Sequence, residues 1–299
     1  MNRKIFNIML VVVLLIGSGL IWLNTTTKGS NTQKHVNQEL IPADAITHGH
    51  GLSVDVNDPN KLYIATHHGL MVLVNDKDLY SLSNKKDDYM GFSPNPTNPQ
   101  ILYSSGHPES GGNIGFQRSQ DGGYTWEKIS DGVNGPVDFH AMAVSPSNPK
   151  VIYGWYKGAL QRTNDEGRNW NIVSMTSSPI VNLAVDPKNE NILYAASPQG
   201  LMISKNAGRD WITVLEGYVS AIAINPADSN EIITYSEKHQ LARSNDGGEN
   251  WETLQIELGD ESPLYISYSA QESKIIYLLT EKNSIYKSTD SAKSWEKIR

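Results

Sequence analysis

Eight residues, Ser119-Gln120-Asp121-Gly122-Gly123-Tyr124-Thr125-Trp126, recur through this chain and limit the folds open to it. Each part of the segment has a physical role. The Asp121 carboxylate can fold back onto backbone N–H groups of its own turn, and Gly123 can take the positive φ that a tight hairpin demands. Trp126 then opens the following strand as a large apolar anchor. Thr163 to Trp170 and Ser244 to Trp251 are close copies that carry Asp165 and Asp246. Ser204 to Trp211 has Asn206 in place of the aspartate. Ser288 to Trp295 keeps Asp290 but has Ala292 where the glycine belongs, which predicts a looser turn. The tryptophans fall at positions 126, 170, 211, 251 and 295, a period of 40 to 44 residues. Such a period marks a chain built by stacking one supersecondary unit many times.

A second pattern stands upstream of each of these turns: a short apolar strand, a turn with Pro or Asn, and a strand that usually ends in Tyr. Its copies begin at Leu52, Met90, Met142, Leu183, Ile222 and Ile266, six in all. In the first unit Gly69 to Val74 and Asp78 to Leu82 take the places of the flanking strands, around a degenerate turn at Asn75 to Asp78. Four short strands in about 40 residues make one blade of a β-propeller. The sequence therefore predicts an all-β, six-bladed propeller over residues 48–299, with strands a to d running outward from the axis. Trp295 to Ile298 supplies strand d of the sixth blade, so all six blades come from contiguous sequence. Whether Val36 to Ile41 adds an edge strand near the closure is left open by the sequence.

Composition narrows the function. A net charge of −7 argues against a nucleic-acid partner, which needs a basic footprint. The absence of cysteine excludes disulfides, thiolate metal sites, a cysteine nucleophile and a lipidated cysteine. Arg3 and Lys4 precede an apolar run from Ile5 to Leu23. Nineteen helical residues span ~28 Å, close to the hydrocarbon thickness of a bilayer. The basic flank directs the downstream chain to the outside. Residues 1–23 thus read as a membrane anchor or a cleaved signal peptide, with the anchor favoured because no small-residue cleavage site lies after the run. Residues 24–47 read as a polar tether. The expectation is a single-pass membrane protein with its propeller outside the cytoplasm, or a secreted one if the segment is cleaved, and a monomer in either case.

In the predicted propeller the a–b turns and the Trp-flanked c–d turns share one face, and the b–c loops and the starts of strands a share the other. Asp121, Asp165, Asn206, Asp246 and Asp290 are accordingly structural. The opposite face collects histidines: His48 and His50 before Leu52, His67 and His68 in the first b–c loop, His107 in the second, His140 before the third strand a, and His239 in the fifth blade. Aligning strands a places His50, Asp88 and His140 at equivalent positions around the mouth of the central channel. Neutral imidazoles with a carboxylate suit a divalent transition metal, zinc or copper, and without cysteine only N and O ligands are available. His50, His67, His107 and His140 are the leading ligands, with His48, His68 and Asp88 as further members. Ordinary loop histidines and a proton-transfer or substrate-binding cluster are the competing readings. Tyr89, Phe92, Phe139, Trp155 and Tyr156 reach this face as packing or as a sugar-stacking platform. No organic cofactor is called for.

The S-x-D-x-G-x-T-W turns resemble Asp-boxes, the signature of BNR-repeat propellers. Residues 46 to 299 as a whole resemble exported bacterial BNR-repeat proteins of the glycosyl-hydrolase-like, sialidase-superfamily-like kind. The resemblance extends to His48-Gly49-His50-Gly51-Leu52, Ala65-Thr66-His67-His68-Gly69-Leu70, Ser105-Gly106-His107-Pro108 and Asp138-Phe139-His140-Ala141. It implies hydrolysis by analogy only, because fold does not carry function. A sialidase needs three converging arginines; Arg118, Arg162 and Arg243 instead precede the repeated turns, and Arg168 and Arg209 lie within them. A glycosidase needs two carboxylates ~5–9.5 Å apart, for which Asp88, Glu109 and Asp138 are the candidates. Enzymatic activity stays undecided and is disfavoured; an activity would be that of a glycosyl hydrolase or a metal-dependent hydrolase. A non-catalytic scaffold for exported proteins or cell-surface glycans, in the manner of sortilin-like and photosystem-assembly-like propellers, is the third class.

Overall fold

The computed structural model describes residues 40–299; the apolar segment 1–23 and the tether up to residue 39 lie outside the described residues. Six antiparallel sheets succeed one another along the chain, each with strands in the order a-b-c-d. Blade 1 comprises Gly49–Val54, Lys61–Thr66, Gly69–Val74 and Asp78–Ser81. Blade 2 begins with Asp88–Pro94 and Leu102–His107, and blade 3 with Ala141–Val144. Blade 6 ends with Glu296–Lys297. Among the described residues no blade combines strands from the two ends of the chain. Residues 40–47, read from the sequence as the end of the tether, lie against blade 1 instead. Ile41–Pro42 pairs antiparallel with Ser81 and Tyr80 as a fifth, outermost strand, and Ile46 is buried.

The core is divided into layers, one between each pair of neighbouring blades. A sheet covered on both faces explains why strands b are buried along almost their whole length, as in Lys61–Thr66 and Ile276–Thr280. Trp126, Trp170, Trp211, Trp251 and Trp295 each enter a different layer, packing their blade against the preceding one. The ring closes where blade 6 meets blade 1. There Val54 N donates to Ser267 Oγ (3.0 Å), Tyr277 Oη to the Pro59 carbonyl (3.1 Å), and Lys287 Nζ pairs with Asp76 (2.5 Å). Side chains thus seal a ring that other propellers close with a shared strand.

The Asp-box turns have the geometry their residues suggest. In blade 2 the Gly123 N–H donates to Ser119 Oγ (2.8 Å) and the Thr125 N–H to Asp121 Oδ1 (2.9 Å). The Thr125 hydroxyl donates to Asp121 Oδ2 (2.6 Å), and the Trp126 indole donates to the Gly123 carbonyl (3.1 Å). The last turn is not looser than the others. Ala292 takes φ +61°, its N–H donates to Ser288 Oγ (2.9 Å), and Asp290 binds the backbone and hydroxyl of Ser294. In every blade a c–d turn N–H donates to an a–b turn carbonyl, from Asn75 to Asn60 in blade 1 through Ser291 to Lys274 in blade 6. That bond fixes both turn types on one face and leaves the b–c loops on the other.

Candidate metal centre

On the b–c face the structure brings together His48, His50 and His67, with a ligand nitrogen of each within 4.8 Å of the others. Three local features achieve this. Gly49 lets the chain cross blade 6 closely: a Cβ there would stand 2.4 Å from Leu279 Cδ2. The Gly49 N–H is held by Asn283 Oδ1 (3.0 Å), from the b–c turn of blade 6, where Asn283 has φ +64°. His50 then sits at a β-bulge, because Gly49 pairs with Thr66 and Gly51 with Ala65 and nothing pairs with the residue between. Bulges re-aim side chains. His50 turns onto His67, ring centroids 4.0 Å apart, with His48 at 4.9 Å from His50 and stacked at 5.2 Å on His67. His68, the other residue of the two-residue b–c turn, stays outside the group, 6.4 Å from the His67 ring.

The electrostatics favour the ligating form of the key imidazole. Burial, followed by the neighbouring His67, His48 and His140, pushes His50 down to about 3, against a smaller opposing pull from Asp138. His50 is therefore neutral at physiological pH, and its Nε2 is buried without a hydrogen-bond partner. His67 Nδ1 meets Asp88 Oδ2 at 2.7 Å. A carboxylate on one ring nitrogen fixes the tautomer and leaves Nε2 with its lone pair available, the usual support for a metal-bound histidine. Asp88 is itself buried and keeps Oδ1 unpartnered.

The sequence-derived ligand set divides in two. His50 and His67 join His48, whereas His107 and His140 gather on Asp138. His107 Nε2 lies 3.0 Å and His140 Nε2 2.8 Å from Asp138 Oδ2, and the hydrogen bond that His140 donates to Asp138, outweighing burial, raises the His140 pKa. His107 Nδ1 donates to the Gly112 carbonyl (2.8 Å), so both of its nitrogens are engaged. Glu109 is exposed, its N–H bonded to Asp87 Oδ1 (3.2 Å).

The expected ring of His50, Asp88 and His140 is corrected at its middle member. The a–b turn bonds Asp55 N to Lys61 O, Asn95 N to Ile101 O and Ser145 N to Val151 O mark equivalent points in blades 1 to 3. Five residues earlier stand His50, Met90 and His140. Strand a of blade 2 is thus two residues out of the register read from sequence: Phe92, not Met90, stands level with Leu52, and a bulge at Gly91 and Phe92 lies between Met90 and Ser93. Asp88 falls opposite His107 across the hairpin and lines a cleft with His67, His68 and Glu109, while His50 and His140 line the axial channel.

Tyr89, Phe92 and Phe139 are buried, Tyr89 against Trp126 (5.0 Å) and Phe139 against Trp170 (4.9 Å), so they pack rather than present a sugar platform. Arg118, Arg162 and Arg243 are engaged between blades, with Glu166, Glu190 and the Ser291 carbonyl. Sequence reasoning missed Asn283, whose signal is an asparagine in a tight turn that needs positive φ.

No protein-family model matches the sequence, and no curated protein does either. Solved structures do match. The Niastella koreensis GH74 enzyme aligns with TM-score 0.58 at 16% identity, over 83% of this chain and 46% of that one. The GH74 xyloglucanase from Xanthomonas campestris aligns with TM-score 0.55 at 15% identity, over 87% and 56%. YCF48 bound to D1 peptide aligns with TM-score 0.54 at 16% identity, over 87% of this chain and 88% of that one. The chain spans about half the length of the GH74 structures. It has the Asp-box propeller fold.

Proposed function

We propose that this propeller binds one divalent transition metal, zinc or copper, through His48, His50 and His67, with Asp88 orienting His67. The observation that carries the reading is His50: its Nε2 is buried and unpartnered, its ring is held neutral, and one of its nitrogens lies within 4.8 Å of a nitrogen of each of two other imidazoles. A buried polar atom without a partner is costly, and coordination would repay that cost. Three histidines leave a fourth position open, the arrangement of a metal that binds an exogenous ligand or activates water. The apolar run at 5–23 supports tethering to a membrane with the propeller outside the cytoplasm.

A second reading, a scaffold that holds a partner protein, is favoured by the match to peptide-bound YCF48 over nearly its whole length. Hydrolysis of a glycan has weaker support, since the GH74 structures are about twice as long and Asp88 and Asp138 are both bonded to histidine.

Metal content decides the leading reading. The full-length chain, purified without chelators, should hold one zinc or copper by elemental analysis, or take up one on titration. His67→Ala should abolish stoichiometric binding, whereas His107→Ala, on the Asp138 group, should leave it. Asp88→Asn should weaken binding by roughly 10–100-fold. No uptake by the wild-type chain, or equal uptake by His67→Ala, would sink the proposal.

A further inference from the structure

The three imidazoles of the proposed site are not equally restrained. His50 sits at its bulge with Nε2 buried, and His67 is held by the 2.7 Å contact of its Nδ1 with Asp88. His48 is exposed, and among the described residues its ring makes no hydrogen bond; it meets the other two only ring against ring, at 4.9 Å and 5.2 Å. A metal ion in this group is therefore held least firmly by His48.

A further imidazole stands close by. His68 is exposed; its N–H donates to Thr66 Oγ1 (3.1 Å), and its ring has no hydrogen-bond partner among the described residues. Its centroid lies 6.4 Å from that of His67, against 5.2 Å for His48. Exposed side chains change rotamer in picoseconds to nanoseconds, so His68 can close that difference without a movement of the backbone. It stands on the outward side. His67 and His68 line a cleft of about 560 Å³ between blades 1 and 2, whereas His50 lines the axial channel. Glu109 adds an exposed carboxylate to the cleft, and with Asp88 it outweighs the single charge of Lys86. His107 lines the same wall but is engaged through both nitrogens, by Gly112 and Asp138, and does not compete for the ion.

We infer that this cleft is an exchange path: the protein passes its metal ion to and from an external carrier, and His68 takes hold of the ion as His48 lets go. The inference rests on the metal reading above. The chemistry is ligand exchange. A nitrogen or oxygen donor of the carrier occupies the open fourth position, the bond to His48 breaks and a bond to His68 forms. The ion then moves outward along the cleft with no change in its oxidation state. Structural metal sites retain their ion by surrounding it with four protein ligands. A site with three ligands, two of them exposed, favours rapid transfer over retention.

The test loads the full-length chain with zinc and mixes it with excess pyridylazoresorcinol, following transfer by the absorbance of the zinc–dye complex. The rate should rise in proportion to dye concentration, as exchange through an open position requires. His68→Ala should leave the zinc affinity within about threefold but slow the transfer about tenfold, which is about 1.4 kcal/mol in the barrier. His68→Asn, which suits a turn position, should behave like the alanine variant and guards against a local folding effect. Free imidazole should accelerate the His68→Ala variant more than the wild type, a rescue that a purely structural role would not give. If the wild-type chain takes up no zinc, the metal reading fails and the exchange path fails with it. If zinc binds and depends on His67, yet leaves at a rate independent of dye concentration or equally fast from His68→Ala, the metal reading stands and this inference is overturned.

Discussion

Two glycines at the same position of different Asp-boxes separate the strain of a left-handed backbone from the collision of an added methyl. Gly167 has φ +83°, and a Cβ built on it would stand 2.0 Å from Phe116 Cε1 and 2.3 Å from Cδ1. Phe116 cannot move away: it is fully buried, with Tyr103 at 5.6 Å and Trp170 at 5.2 Å. Gly248 has φ +97°, but its Cβ would meet nothing nearer than Trp251 Cζ2 at 3.6 Å. The left-handed conformation costs alanine about 1–2 kcal/mol, reduced by ~0.4–1 kcal/mol through loss of unfolded-state entropy. Gly248→Ala should therefore cost about 1 kcal/mol, consistent with the native Ala292 at φ +61° in the last box. Gly167→Ala adds a displacement of a locked aromatic ring by more than an ångström, ~1–3 kcal/mol of overpacking, for a total of about 2–4 kcal/mol. Urea unfolding followed by tryptophan fluorescence measures both, with Trp170 itself in the disturbed layer. Equal losses for the two variants would refute the collision argument and leave backbone strain as the whole effect.

The remaining predictions concern closure, acid stability and the site's support. Lys287→Met should destabilise the chain by roughly 1–3 kcal/mol, because it leaves Asp76 at the ring closure without its counter-ion; a cycle with Asp76→Asn in urea should recover most of that as coupling. Hydrogen bonds from Asn250 hold Asp246 down to about 2, and those from Ser294 do the same for Asp290. Their folded-state pKa values are depressed, so their contribution is complete above the ordinary aspartate value and is lost as pH falls from there through about 2. Asp246→Asn, which copies the native Asn206, should flatten the fall of Tm over that window; an unchanged slope would refute the assignment. Asn283→Ala removes the acceptor of the Gly49 N–H and should cost ~1 kcal/mol. It should also weaken zinc or copper binding, read by titration, because the His48-Gly49-His50 segment loses its tie to blade 6.

The blade count, strand order, contiguous closure and division of turns between faces were legible because each rests on a periodic pattern. The tryptophans mark one repeat and the strand-b tyrosines another, and their phases determine four strands per blade. Alternation alone does not set the register of blade 2, where Met90 and Phe92 fit equally well as inward apolar residues; the spacing to the strand-b tyrosine, eleven residues from Leu52 to Tyr63 and from Phe92 to Tyr103, and the a–b turn bonds place Phe92 level with Leu52. The same limitation governed the ligands. A sequence places His48, His50, His67, His107 and His140 on one face, but which of them meet is decided by a bulge at His50 and by which carboxylate each ring reaches. Residues 40–47 pack as part of the propeller although their composition reads as tether, because two residues of strand pairing and one buried isoleucine suffice to dock them.

In a ring of repeats, what the fold requires appears in most blades, and what it does not require appears where the repeat is broken. The histidine face departs from the repeat at His50. The bulge itself recurs: blades 5 and 6 also skip one residue in register there, at Ser220 and Leu264, so the fold accepts several residues at this position. Ser220 uses it to donate to the Pro263 carbonyl of blade 6 (2.6 Å), whereas His50 leaves its buried Nε2 without a partner. A serine meets the needs of the fold at lower cost, so packing does not explain the imidazole in blade 1. On the reading proposed above, a bound metal cation is what offsets that cost.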